Sequence, residues 1–362
     1  MMFNAFGIPI RTALRPGSEQ VLYRESEPLC PWRFHGHELL YADVDDTAAA
    51  FQHFVEDGPG VIDILEKGHL VVVNGVEGSG KTTLIHRCVD HMRDKLAEWR
   101  SQSGQDATPA PGGLWSIKPR VPGISVVDLS RESRKVAYDD NGRLCPLSAI
   151  NQAIFKKVAR SVQSDMEPHD ERIQNMLDRH GSKLTDMYEE FAEVLRDRNS
   201  FALIILPFIP LGSERVHRDY LRAHLTFSAP RIVFFAETVG TGLKDMMEVA
   251  PSDQDRQLVT HLSIGKLKNG DCDRFIGART GHAHQRPDHV RVAPAVIANA
   301  SKDIENRTVR WLQIVFYSLS KAAIGDNRDE IGPDDYQRFE KQRRDGLRRR
   351  PLRRGRDRDS EP

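Results

Sequence analysis

The sequence predicts an α/β protein: a parallel sheet flanked by helices, then a small α-helical domain and a basic, unstructured tail. Three observations carry that expectation. Short β-branched runs alternate with helical stretches over residues 67–267, the pattern of a parallel sheet covered on both faces. Beyond Glu237 the pattern turns mainly helical. Between Lys341 and Arg358, ten basic residues face two acidic ones, a local +8 within a 362-residue chain of zero net charge.

Residues 1–66 show no clean period and read as an N-terminal extension. RPGSEQ, SEPLCPW and ADVDD read as turns, and Thr47–Glu56 as one short helix. HLVVVN (69–74) is short and β-branched, hence a buried strand. Residues 82–100 follow with Leu84, Ile85, Cys88, Val89, Met92 and Leu96 on one helical face. The Pro-, Gly- and Ser-rich stretch 101–123 is loop. ISVVDL (124–129), FALIIL (201–206) and RIVFFA (231–236) read as further strands. Helices are expected over 147–162 and 170–198, the second with a break at Gly181. A short extended stretch, 260–267, closes the α/β domain at residue 267. A helical lid domain over 268–335 is expected to hold helices at 271–279 and 301–322, and an unstructured tail to fill 336–362.

Composition narrows the class. Apolar residues make up 39%, and the longest apolar run, 201–211, is interrupted by Pro207 and Pro210, so no membrane span is expected. The N-terminus has no charged region ahead of an apolar stretch, as a secretory signal would. Cys30, Cys88, Cys145 and Cys272 stand far apart, which excludes a disulfide scaffold or zinc ribbon and suits a reducing compartment. A soluble, cytoplasmic protein is the expectation. His282, His284 and His289 lie close together without the Cys or paired acid that would complete a metal set.

Gly75-Val76-Glu77-Gly78-Ser79-Gly80-Lys81-Thr82 fits G-x-x-x-x-G-K-[ST], with a strand running into it and an amphipathic helix leaving it. The chemistry requires that context. Glycines let the backbone curl until successive N–H groups form a nest for phosphate oxygens, and the helix N-terminus adds its positive dipole end. Lys81 supplies a charge for the β- and γ-phosphates, and the Thr82 hydroxyl is the expected Mg²⁺ ligand. With Thr83 following in the same turn, residues 75–83 form the candidate nucleotide site.

Hydrolysis needs an acid as well. P-loop NTPases hold Mg²⁺ with an acidic residue at a strand end, yet FALIIL runs into Pro207 and Phe208, and Glu214 comes seven residues after Pro207. Asp128 and Glu237 close neighbouring strands and are the possible substitutes, with Thr238 placed to orient water near the γ-phosphate.

With these parts placed, residues 55–325 resemble the AAA+/STAND group of P-loop ATPases, near the origin-recognition-type AAA+ proteins. GVEGSGKTT carries the resemblance, supported by ISVVDLS with PLSAINQAIFKKV, RIVFFAET, HLSIGKLKNGDCDRFIGART and NRTVRWLQIVFYSL. The resemblance implies a sensor-1 role for Thr238, a sensor-2 arginine at Arg310 in the lid, and a trans-acting arginine finger at Arg256. LIILPFIP departs from it where the group carries an acidic pair, so a degenerate Walker B strand and slow or partner-dependent hydrolysis are expected.

The expected function is therefore an ATP- and Mg²⁺-binding conformational switch. Its partners would be nucleotide, a protein or a second copy of the chain, and nucleic acid through the basic tail. Alternatives are a non-hydrolysing nucleotide-binding adaptor of a multi-component system, including defence, and a P-loop small-molecule kinase.

Overall fold

The computed structural model describes residues 4–15, 18–25, 27–102, 114–179, 183–211, 213–239, 248–250, 252–281 and 289–349. It opens on a hairpin that the sequence reading did not anticipate: β1 (Ile8–Arg15) pairs antiparallel with β2 (Ser18–Arg24). RPGSEQ is thus only in part a turn, because Ser18, Glu19 and Gln20 already pair with β1. Helix α1 (Thr47–Asp57) falls where expected, and a short α2 (Val61–Glu66) follows it.

Five parallel strands form the central sheet: β3 (His69–Asn74), β4 (Ile124–Asp128), β5 (Phe201–Ile205), β6 (Ile232–Thr238) and β7 (Val259–Ser263). Their order is β4-β5-β6-β3-β7. Helices cover both faces, which explains why HLVVVN is apolar without alternation. Val71 and Val73 pack into one core with Leu84, Cys88 and Val89 of α3 (Lys81–Gln102). Leu70 and Val72 pack into the other, as successive strand side chains must.

That second core is built by α5 (Leu147–Asp165), α6 (Glu171–Asp178), α7 (Leu184–Asp197) and α8 (Glu214–Thr226), with the short α4 (Ser133–Ala137) at its margin. Neither α4 nor α8 was expected. Ser213 caps α8 by accepting from the Val216 N–H. A single turn, α9 (Asp253–Arg256), precedes β7.

Beyond β7, α10 (Asp271–Gly281), α11 (Pro294–Ala300), α12 (Val309–Gly325) and α13 (Pro333–Arg349) enclose a separate hydrophobic cluster. The two-residue strands β8 (Arg291–Val292) and β9 (Glu330–Ile331) tie them together. Ala5 and Phe6 belong to this cluster, with Phe6 stacked on Phe316 at 5.2 Å. The start of the N-terminal extension is therefore part of the core of these C-terminal helices, whereas Ala50, Phe54 and Ile64 belong to the core of the sheet.

Two expectations are corrected here. The helix expected from Ser301 begins at Val309, because the Thr308 hydroxyl accepts from the Trp311 N–H and starts it there. Residues 304–306 form a 3-10 turn instead. The unstructured tail does not begin at 336: α13 runs to Arg349, and its Tyr336 and Phe339 pack on the lid core. Residues 350–362, the break at Gly181, residues 103–113 of the loop, and His282 and His284 lie outside the described residues.

Candidate nucleotide-binding site

Parallel strands put all their C-terminal ends on one edge, and β3 delivers the glycine loop there. Gly78 (φ +81°) and Gly80 (φ +89°) both adopt the left-handed region, which glycine enters without a Cβ clash. Lys81 is buried, and its Nζ donates to the carbonyls of Gly75 and Val76 at 2.9 Å each. Burial pushes its pKa down, with Glu237 and Glu77 opposing that. Thr82 Oγ1 donates to Glu237 Oε1 at 2.8 Å. Glu237 is itself raised by burial, partly offset by the Thr82 hydrogen bond and by Lys81.

These groups line a cavity of about 590 Å³. Gly78, Gly80, Lys81, Thr82 and Thr83 form its floor, and Glu77 stands at its rim. The lid supplies a wall through Val309, Arg310 and Gln313 of α12 and Arg279 of α10. Contact between lid and loop is direct: the Arg310 N–H donates to the Gly78 carbonyl at 3.0 Å. A Cβ on Gly78 would sit 3.0 Å from Thr308 Oγ1 and 3.1 Å from Arg310 Cβ. The Arg310 guanidinium is largely exposed, with Nη1 3.9 Å from Glu77 Oε1.

Solved structures share this architecture. The Orc1 protein of Aeropyrum pernix, solved in complex with DNA, matches at a TM-score of 0.50 and 13% identity, over 86% of this chain and 70% of its own. The fold is that of the origin-recognition-type AAA+ proteins. The A. pernix Orc2 protein (ADPNP-ADP complexes) matches at 0.46 and 14% identity, over 81% and 66%. Cdc6p of Pyrobaculum aerophilum matches at 0.45 and 14%, over 80% and 64%. The chain thus spans about two thirds of the length of these proteins. No protein-family model matches it, and no curated protein does.

Within the central sheet, β6 lies between β5 and β3, so β5 is not the neighbour of the loop strand. Its chain continues into Phe208, an apolar group in the cavity wall. Val73 of β3 is paired with Glu237 and Asn74 with Thr238. Adjacent residues of a strand face opposite ways: Glu237 reaches the cavity, whereas Thr238 is fully buried with its hydroxyl donating to Asn74 Oδ1 at 3.3 Å.

The other sequence candidates lie elsewhere. Asp128 accepts from the Ser130 N–H at 2.9 Å and stands 3.8 Å from His86 Nε2, outside the cavity lining. Glu214 starts α8. Arg256 precedes β7, at the sheet edge opposite the glycine loop, and pairs with Asp253 at 3.0 Å.

Sequence reasoning missed one whole wall. Glu27, Pro28 and Leu29 of the N-terminal segment line the cavity. Arg131 donates to both Glu27 oxygens, at 3.1 and 2.8 Å, and holds that carboxyl below its usual range. It also missed Arg279. The signal was there: Cys272, Phe275, Ile276 and Arg279 share the buried face of α10, so a charged residue occupies a core position.

A divalent cation fits the donor set. The Thr82 hydroxyl and the Glu237 carboxylate are hard oxygen donors already in contact. Mg²⁺ takes one or two protein oxygens and completes its shell with phosphates and water. The described residues contain no cluster of three or more His, Cys, Asp or Glu that would form an all-protein metal cage, and none of their helices is long and apolar enough to cross a membrane.

Proposed function

We propose that this chain is an ATP-binding AAA+-type switch with slow intrinsic hydrolysis, in which nucleotide is held between the glycine loop and the helical lid. The observation that carries the reading is the shared cavity, whose floor is Gly78, Gly80, Lys81, Thr82 and Thr83 and whose wall is α12, joined by the Arg310 N–H to Gly78 carbonyl bond. A ligand that touches both elements stabilises their closed arrangement by its differential affinity for it. Residues 75–83 cradle the phosphates, with Lys81 on the β- and γ-groups. Thr82 and Glu237 hold Mg²⁺, which when bound neutralises charge on the transferred phosphoryl group. Arg310 senses the γ-phosphate from the lid.

Glu237 takes the part that the end of β5 lacks. Its contact with Thr82 favours a weakened ATPase over a non-hydrolysing adaptor. Phe208, where an acid would polarise the attacking water, accounts for the slow rate. Thr238, tied to Asn74, would act by fixing the end of β6 beside β3. Arg256, remote from its own cavity, would act only on a neighbouring copy.

A nucleic-acid partner is part of the same reading. The similar Orc1 protein was solved with DNA, and here Lys341 and Arg344 at the start of the basic segment share a groove with Lys302 and Arg307, where Asp303, Glu340 and Asp345 offset most of the charge.

Lys81→Ala tests the core of the proposal. It should weaken ATP binding at least ~10-fold, the loss expected for a charged hydrogen-bond partner. Equal affinities of wild type and variant by titration calorimetry would reject it.

A further inference from the structure

Arg279 is buried, 7% exposed, in the last turn of α10. Its Nε and Nη1 are shielded from solvent and have no hydrogen-bond partner among the described residues. No carboxylate among them pairs with it either. Its surroundings are the Phe275 ring, 5.3 Å from the guanidinium carbon, and the phenol of Tyr41. Tyr41 gives no counter-charge, because burial raises its pKa well above the ordinary value. Nearby His37 is neutral: its Nδ1 accepts from the Cys30 N–H, Nε2 lies 2.8 Å from the Pro9 carbonyl, and burial lowers its pKa. Burial lowers the arginine's own pKa to about 10, so it stays charged at neutral pH. An unpaired buried cation of this kind costs stability.

Its position shows what could answer the charge. Beside the 590 Å³ cavity lies a smaller recess, lined by Leu40, Val44, Leu84 and Phe275 and by the polar Tyr41, Asp45 and Arg87; burial raises the Asp45 carboxyl to about 8, so it gives no counter-charge at neutral pH. Both spaces share Leu29, Gly80, Thr83, Arg279 and Val309. Arg279 is therefore at the junction between the two. Lys81, Thr82, Glu237 and Arg310 line only the larger space. A phosphate held near Gly80 and Thr83, at the first turn of α3, is the one closest to the smaller recess.

We propose that Arg279 is a nucleotide-binding residue, whose guanidinium pairs with the α-phosphate at the junction of the two spaces and so ties α10 of the lid to any nucleotide, ADP as well as ATP. This rests on the nucleotide reading above and adds a division of labour within the lid. Arg310 distinguishes triphosphate from diphosphate; Arg279 does not. A phosphate also supplies the counter-charge that the protein withholds, which is how a binding site stores a stability cost until its ligand arrives.

The test compares Arg279→Met and Arg279→Gln with wild type and with Arg310→Ala. The readouts are melting temperature without nucleotide, and ADP and ATP affinity by calorimetry. Arg279→Met should melt at or above wild type, since it removes an uncompensated buried charge and keeps the packing volume. It should bind ADP and ATP more weakly by a common factor of ~10 or more. Arg310→Ala should weaken ATP more than ADP. If both Arg279 variants melt lower than wild type and bind ADP normally, Arg279 is a structural residue and the proposal falls. It falls also if either folded variant loses ATP affinity alone. A wild-type protein that binds neither nucleotide overturns the underlying reading, and this inference with it.

Discussion

In the proposed function, hydrolysis turns on Glu237. It contacts the Thr82 hydroxyl from a strand directly beside β3, whereas the acid-bearing strand of the resemblance is β5, one place further off. Glu237→Gln keeps the shape and a hydrogen-bond acceptor but removes the charge. We expect it to abolish the residual ATPase, slower in wild type than the ~1–100 s⁻¹ of kinases, while ATP still binds. Phosphate release under single-turnover conditions measures this, and an active Glu237→Gln enzyme would show that the acid is elsewhere. The pH profile adds a sign. Burial raises the carboxyl's pKa, so it gains a proton at a higher pH than an exposed glutamate. Mg²⁺ competes with that proton, so its binding should weaken on acidification from above the ordinary value of 4.5, and Glu237→Gln should lose that pH dependence.

At the scale of elements, the helix start at Thr308 couples the lid to the glycine loop. The Thr308 hydroxyl caps α12 and also lies 3.0 Å from where a Cβ on Gly78 would be. Thr308→Ala should cost about 1 kcal/mol through the lost cap, seen as a lower melting temperature. It should also weaken nucleotide binding severalfold, because the end of α12 that meets the loop is loosened. Lower stability with unchanged affinity would mean that the lid's docking does not contribute to binding.

The same scale shows what the sequence makes legible. β3, the glycine loop and α3 read correctly because their signals are local: β-branched run, glycines, apolar face. The Thr308 cap was missed because helical spacing continues through Ile304 while the chain itself turns there. Helix α8 buries Tyr220, Leu221, His224 and Leu225 at helical spacing, a pattern masked by a histidine in the core. The β1–β2 hairpin was hidden for another reason, as Pro9 sits in its first strand and removes a ladder donor. For Glu237 and Thr238, alternation guarantees that one faces the cavity, but which one depends on the pairing with Val73 and Asn74. The wall of Glu27, Pro28 and Leu29 depends on a contact across about a hundred residues, Glu27 to Arg131, which no local pattern records.

The whole molecule is electrically divided. Lys341–Arg358 carries +8, and the other residues together balance it with −8. Of that stretch, Lys341, Arg344 and Asp345 on α13 are exposed, while Tyr336 and Phe339 anchor the helix to the lid. A negatively charged body repels a phosphate backbone, so any affinity for nucleic acid should come from this segment and vary with salt, since each phosphate neutralised releases condensed counterions. Ending the chain after Glu340 removes ten basic and four acidic residues, leaving a net charge of −6. The truncation spares the anchoring aromatic residues, so the melting temperature should change little. Binding to duplex DNA, followed by fluorescence anisotropy at 50 and 200 mM salt, should be strong only for the full chain and only at the lower salt. Binding that ignores salt, or that survives the truncation, would place the DNA contact on the lid or sheet and leave the basic segment without that role.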